Sequence, residues 1–258
     1  MKATQNFEVR VISLLKQEKR REKMALVLDG QLDWKFTDAI AGSEISWNHN
    51  IYDQNRRIKI FGYDMKINEI ACFLSHRLVW EECVLSNKYF LVLEDDIQFV
   101  KGLGGHDVKT IINELIKTQG FNLFSRLGNS EIRSEKVKFF DIDHRFSLSR
   151  YKKDPLGAFA YVVSPKVASN LLQNSKKIFT PVDDFMWRGW EHESEIYDVL
   201  PKIFFTEEEG NPSSIGDRKK PEINFLRKIS REWFRYFDVR KKKMYEGTVF
   251  KKASGGRV

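Results

Sequence analysis

Hydrophobic and polar positions divide the chain into alternating strand-like and helix-like segments. Glu8 to Leu14 (EVRVISL) alternates into an apolar run and predicts a first strand. The charged stretch Lys16 to Leu28 turns Met24, Ala25 and Leu28 to one side and predicts a helix ended by Asp29-Gly30. Trp34 to Ile40 predicts a short second strand, whereas Ile51 to Met65 is polar, poorly patterned and expected to form a mobile loop. Asn68 is placed to cap a long helix with Ala71, Leu74, Leu78 and Val79 on its apolar face. Tyr89 to Leu93 (YFLVL) is a continuous run of strand formers, as in a central strand covered on both faces, and it stops abruptly at Glu94-Asp95-Asp96. A helix over Val108 to Lys117, strands at Phe121 to Leu127, near Phe139 and over Leu156 to Val163, and a helix opened by Ser164-Pro165 continue the alternation. The pattern predicts an α/β fold with a mainly parallel sheet and flanking helices. In such sheets ligands bind beyond the carboxyl ends of the strands, which is where the acidic triplet lies.

Composition narrows the class. A chain of 258 residues with 41% hydrophobic positions can fill one large α/β core or two small ones, which excludes a disordered or fibrous protein. Twenty Phe, eight Tyr and six Trp supply faces on which a sugar or a base can stack, although most aromatics in any fold are core. The short run Val11 to Leu15 has neither the length nor the flanks of a signal segment and no stretch is long enough to span a bilayer, so the expected location is cytoplasmic. Cys72 and Cys83 fall in one predicted helix and are expected to be reduced, buried thiols. The net charge of +8 is uneven: Arg218 to Lys252 holds thirteen Lys and Arg against four acids, a local +9, which leaves −1 for the rest. A body so nearly neutral argues against a nucleic-acid substrate.

The triplet carries the most specific chemistry. Carboxylates at a strand end, together with the diphosphate of a nucleotide, can complete the octahedral oxygen shell that Mn2+ or Mg2+ prefers. Glu94 and Asp96 have the acid-x-acid spacing for a metal site, with Asp95 between them. A solvated turn is the plain alternative, but three adjacent carboxylates between YFLVL and Ile97-Gln98-Phe99 repel one another unless a cation is present. Asp183 and Asp184 follow the helix-start signal Thr180-Pro181, where a first turn keeps a carboxylate ionised. Acids there also simply stabilise a helix. Arg20 and Arg21 offer guanidinium forks to phosphate or a solvated charged face, and Gly157-Ala158 offers either close backbone approach to a ligand or close strand packing. The turn-rich segment Glu207 to Asp217 reads as a loop able to close over a ligand or as plain surface.

In chain order, six segments resemble the motif series of glycosyltransferase family 25, the lipopolysaccharide and collagen galactosyltransferases. They are Val11-Ile12-Ser13-Leu14, Arg20-Arg21-Glu22-Lys23-Met24, Ala71-Cys72-Phe73-Leu74-Ser75-His76, Leu93-Glu94-Asp95-Asp96, Gly157-Ala158-Phe159-Ala160-Tyr161 and Pro181-Val182-Asp183-Asp184. Ser13 and Ala71 depart from the usual Asn and Gly. The resemblance implies a GT-A-like, Rossmann-type catalytic domain over residues 1–217. It also implies inverting transfer of galactose or a related hexose from a UDP-sugar. On this pattern Ser13, Leu14, Arg20, Arg21, Ser75, His76, Glu94, Asp95, Gly157 and Ala158 contact the donor, Glu94 and Asp96 hold Mn2+ or Mg2+, and Asp183 is the base, with Asp184 as the alternative. The acceptor is expected to be a lipooligosaccharide or lipopolysaccharide glycan, a glycolipid oligosaccharide.

Residues 218–258 form a second, basic segment. Leu226, Ile229, Trp233 and Phe237 share one helical side and Arg227, Lys228, Arg231 and Arg235 the other, with Lys241-Lys242-Lys243 beyond. This predicts an amphipathic helix that either lies on an anionic membrane surface or packs on the domain. With the resemblance, it implies a peripheral position on the inner face of a bacterial inner membrane. Two other classes stay open: a non-catalytic membrane or polyanion binding module with a degenerate acidic strand end, and a sugar-nucleotidyl transferase. The lack of a Gly-rich basic loop after the first strand counts against the latter.

Overall fold

The computed structural model describes residues 5–45, 51–129, 134–153, 155, 157–206 and 225–255. The elements in chain order are β1 (Glu8–Ser13), α1 (Glu18–Leu28), β2 (Trp34–Asp38), α2 (Gln54–Phe61), α3 (Ile67–Ser86), β3 (Phe90–Glu94), β4 (Ile97–Phe99), α4 (Gly105–Gln119) and β5 (Phe124–Gly128). They continue with β6 (Lys136–Asp141), β7 (Ser147–Tyr151), β8 (Ala160–Val163), α5 (Pro165–Asn174), α6 (Val182–Trp187), α7 (Gly189–His192), β9 (Tyr197–Leu200), β10 (Phe204–Thr206) and α8 (Phe225–Gly255).

Eight strands form one sheet in the order β2-β1-β3-β8-β5-β9-β7-β6, and β4 pairs with β10 in a two-stranded ribbon. The α/β architecture is the one the patterning predicts, but the sheet is mixed. The pairs β1/β2, β1/β3 and β5/β9 are parallel, while β3/β8, β5/β8, β7/β9 and β6/β7 are antiparallel. The reason is connection length. A parallel neighbour needs a long crossover, as α1 and α3 provide, whereas β6 and β7 are joined by a turn of a few residues and must run antiparallel.

Each face of the sheet has its own core. Leu91 and Leu93 of β3 pack with Val9, Val11, Met24, Leu28, Val108 and Ile111 on one side; Phe90 and Val92 pack with Phe73, Val79, Trp80, Tyr161 and Phe185 on the other. Two-sided burial is why β3 reads as an unbroken apolar run.

Three local expectations fail. Ile51 to Met65 is not a loop but contains α2. Asp53 caps it by accepting from the Arg56 N–H at 2.9 Å, and Gly62 ends it at φ +84°. Its apolar period is weak because Arg57 is buried, with its guanidinium over the Phe61 and Tyr63 rings. Asn68 does not cap α3. The helix starts at Ile67, Lys66 is the N-cap residue, and Glu69 accepts the Lys66 N–H at 2.9 Å. Cys83 is buried as expected, but Cys72 is exposed.

Candidate active site

The C-terminal ends of β1 and β3 meet the N-terminal end of β8. Parallel register places Ile12 beside Glu94, so Ser13 of β1 faces Asp95, and the Ser13 hydroxyl donates to Asp95 Oδ2 at 2.6 Å. Antiparallel register brings the chain before β8 back to the same point, where the Glu94 N–H donates to the Phe159 carbonyl at 2.8 Å. Gly157 and Ala158 therefore lie next to the acidic triplet.

The three carboxylates of the triplet differ. Asp95 is buried and held from both oxygens, by Ser13 on one and by Arg20 Nη1 at 3.0 Å on the other. Glu94, a third exposed, points toward α3, with Oε1 3.4 Å from His76 Nε2. Asp96 is half-buried in the turn that leads into β4. Oxygen donors at Glu94 and Asp96 suit Mn2+ or Mg2+ in type.

Helix α3 supplies the wall opposite Glu94. Cys72 and His76 are four residues apart and so share a helix face. A ligand atom from each, with one from Glu94, falls within 4.8 Å of the others. His76 is fully buried, and its ring is fixed from behind: Trp80 Nε1–H donates to the Tyr161 hydroxyl at 2.8 Å, and that hydroxyl bonds His76 Nδ1 at 2.9 Å.

Asp183 and Asp184 separate clearly. Asp183 accepts N–H bonds from Asp184, at 2.9 Å, and from Gly157. Burial is the main cause that raises its pKa, with the charges of Asp184 and Glu94 adding and the two N–H bonds opposing. Asp184 turns the other way and accepts from the Thr180 hydroxyl in a short hydrogen bond. Gly157 adopts φ +91°, a left-handed conformation that only glycine takes without strain.

The remaining predicted residues are anchors in this structure. Arg21 bonds the Ser13 carbonyl at 3.2 Å, pairs closely with Asp38 and stacks over Phe36, tying the ends of β1 and β2. The Ser75 hydroxyl is buried, donates to the Ala71 carbonyl at 2.8 Å and accepts the Ile40 N–H at 2.9 Å. Leu14 is half-buried, and its carbonyl accepts the Gln17 N–H at 2.9 Å. Ala158 is core. The segment 207–217 lies outside the described residues. The sequence reading missed Cys72 as part of the site and Trp80 and Tyr161 as supports of His76. The i, i+4 spacing of Cys72 and His76 was the available signal.

A second concavity, of about 370 Å³ between α2 and α8, shares no lining residue with this cluster. Helix α8 docks through Asp238, close against Arg188; through Tyr245, whose hydroxyl crowds Gly189; and through the buried Val249. Trp233, Tyr236 and Met244 point away from this face and are exposed, while the part-exposed Phe237 lines the concavity with α2. The side chains of Leu226, Arg227, Lys228 and Ile229 lie outside the described residues. No described helix is long and apolar enough to cross a membrane.

The site sets an acidic strand end near a carboxylate held by backbone N–H groups, on a mixed α/β sheet. The family model described as glycosyltransferase family 25 (LPS biosynthesis protein) matches residues 6–186, well over half of the chain, and the chain belongs to that family. It is 29% identical over 186 residues to a "Glycosyltransferase 25 family member" of Anopheles gambiae, covering 68% of this chain and 30% of that protein. It is 32% identical over 100 residues to the Xenopus laevis "Procollagen galactosyltransferase 1-B", covering 36% and 16%. It is 28% identical over 144 residues to the human "Inactive glycosyltransferase 25 family member 3", covering 50% and 23%. The chain thus spans about a third of the length of the first curated relatives it matches.

Proposed function

We propose that this glycosyltransferase is an inverting hexosyltransferase that moves galactose from a UDP-sugar to a hydroxyl of a lipooligosaccharide or lipopolysaccharide glycan. One observation carries this reading: Asp183 sits close enough to Glu94 to feel its charge, yet is held in place by the N–H groups of Gly157 and Asp184. A base for inversion must be fixed and of raised proton affinity, and Asp183 has both properties. It takes the acceptor proton as the hydroxyl oxygen attacks the anomeric carbon. Asp184, turned onto Thr180, holds the first turn of α6. Glu94 and Asp96 would hold Mn2+ or Mg2+, which would supply charge neutralisation for the leaving diphosphate. Ser13 and Arg20 keep Asp95, which lies between Glu94 and Asp96, in place. A relative named for procollagen galactosylation supports galactose as the sugar.

Helix α8 carries the glycolipid end of the reading. Its outward aromatics, with Arg240 and Lys243 nearby, suit an anionic membrane surface and support a peripheral position on the inner face of a bacterial inner membrane.

The test is UDP-galactose turnover in Mn2+ with a lipooligosaccharide acceptor. Wild type is expected to transfer and to hydrolyse donor slowly, and Asp96→Ala to lose both. Activity near wild type in Asp96→Ala would sink the metal assignment. Sedimentation with phosphatidylglycerol vesicles is expected for wild type and reduced in Trp233→Ala/Phe237→Ala, and no vesicle binding by wild type removes the membrane proposal.

A further inference from the structure

We infer that Cys72 Sγ, His76 Nε2 and a Glu94 oxygen form a site for a zinc-class divalent cation. Two independent observations carry this. The first is proximity: the three ligand atoms lie within 4.8 Å of one another, and His76 Nε2 is already 3.4 Å from Glu94 Oε1. Ligands round a tetrahedral zinc stand roughly 3.3–3.8 Å apart, as follows from bonds of about 2.0–2.3 Å. Small side-chain rotations of Cys72 and Glu94, both open to solvent, cover the difference. The second is His76 itself: the residue is fully buried, yet Nε2 makes no hydrogen bond among the described residues and aims into the cluster.

The surroundings of the ring match what a zinc-bound histidine requires. Coordination through Nε2 leaves the imidazole proton on Nδ1, where the Tyr161 oxygen accepts it at 2.9 Å. That oxygen also accepts Trp80 Nε1–H at 2.8 Å, so its two lone pairs are used and the ring orientation is fixed. One sulfur, one nitrogen and one carboxylate oxygen make a donor set softer than the all-oxygen shell of Mn2+ or Mg2+, with a fourth position left for water. Binding releases the thiol proton of Cys72 to solvent. Glu94 is shared with the metal proposed for the donor. On that reading, zinc here withdraws Glu94 from the nucleotide sugar and inhibits transfer.

Cobalt(II), the spectroscopic stand-in for zinc, tests the site directly on the full chain. Wild type is expected to develop a near-ultraviolet thiolate-to-cobalt band with one equivalent, which zinc displaces and Cys72→Ala lacks. Tyr161→Phe keeps the band but weakens affinity about 10- to 100-fold, the range for loss of a partner behind a metal ligand. No band in folded wild type, or the same band in Cys72→Ala, overturns the site. The inhibitory role is read separately from zinc titrations of UDP-galactose turnover. At least tenfold lower zinc sensitivity in Cys72→Ala supports it, and equal sensitivity overturns it. Should turnover itself be absent, the cobalt spectrum still decides the site.

Discussion

The Ser13 hydroxyl donates to Asp95 Oδ2 at 2.6 Å across 82 residues of sequence, locking the ends of β1 and β3 together beneath the candidate site. Both groups are buried. Removing the donor leaves a desolvated carboxylate short of a partner, so Ser13→Ala is expected to destabilise by about 1–3 kcal/mol in urea denaturation. Arg20, on the other Asp95 oxygen, is substantially exposed, and Arg20→Ala is expected to cost less. Equal losses from the two would show that the buried side of Asp95 is not the critical one.

Asp183 is expected to show a trade between activity and stability. Its pKa is raised in the fold, so the native state binds the proton more tightly than the unfolded chain, and stability falls as pH rises from the ordinary aspartate range through the folded value. Asp183→Asn abolishes that decline. The variant should therefore melt higher than wild type at pH 7 and show no such gain at pH 3.5, while turnover drops by about a hundred- to ten-thousand-fold. Thermal melts at the two pH values, with UDP-galactose turnover, check both halves.

His192 gives the opposite sign. It is buried against the carbonyls of Phe185 and Met186, each 3.1 Å from Nε2, and burial lowers its pKa to about 4. The unfolded chain binds the proton first, so stability is present above the ordinary histidine value and is lost as pH falls from about 6.5 toward 4. The full window corresponds to about 3 kcal/mol. Urea melts of wild type at pH 7 and pH 4.5 should differ, and His192→Gln should flatten that difference.

Gly189 tests the docking of α8. A Cβ there would sit 2.3 Å from the Tyr245 hydroxyl, so Gly189→Ala must push that ring, and with it the helix, away from α7. Hydrogen exchange over residues 231–251 is expected to speed up in this variant, with exchange in β1 and β3 unchanged. Unaltered exchange over 231–251 would mean that Tyr245 does not anchor the helix.

What the sequence determined by itself was local and repetitive. The YFLVL run announced a strand buried on both faces, the acidic triplet marked its end, and the ordered motifs gave the family, because each depends on neighbours in the chain. Antiparallel insertion of β8 was not legible, since pairing direction follows from how connections close in space. Nor was α2, whose stability comes from its caps and the burial of Arg57 more than from an apolar stripe. The motif series favoured Asp183 over Asp184, but only the tertiary structure gave a physical difference between them, because one meets the Gly157 N–H and the other the Thr180 hydroxyl. It likewise set Cys72 and His76 against Glu94. Long-range juxtaposition is a property of packing, and a single chain of residue types does not encode it in any readable spacing.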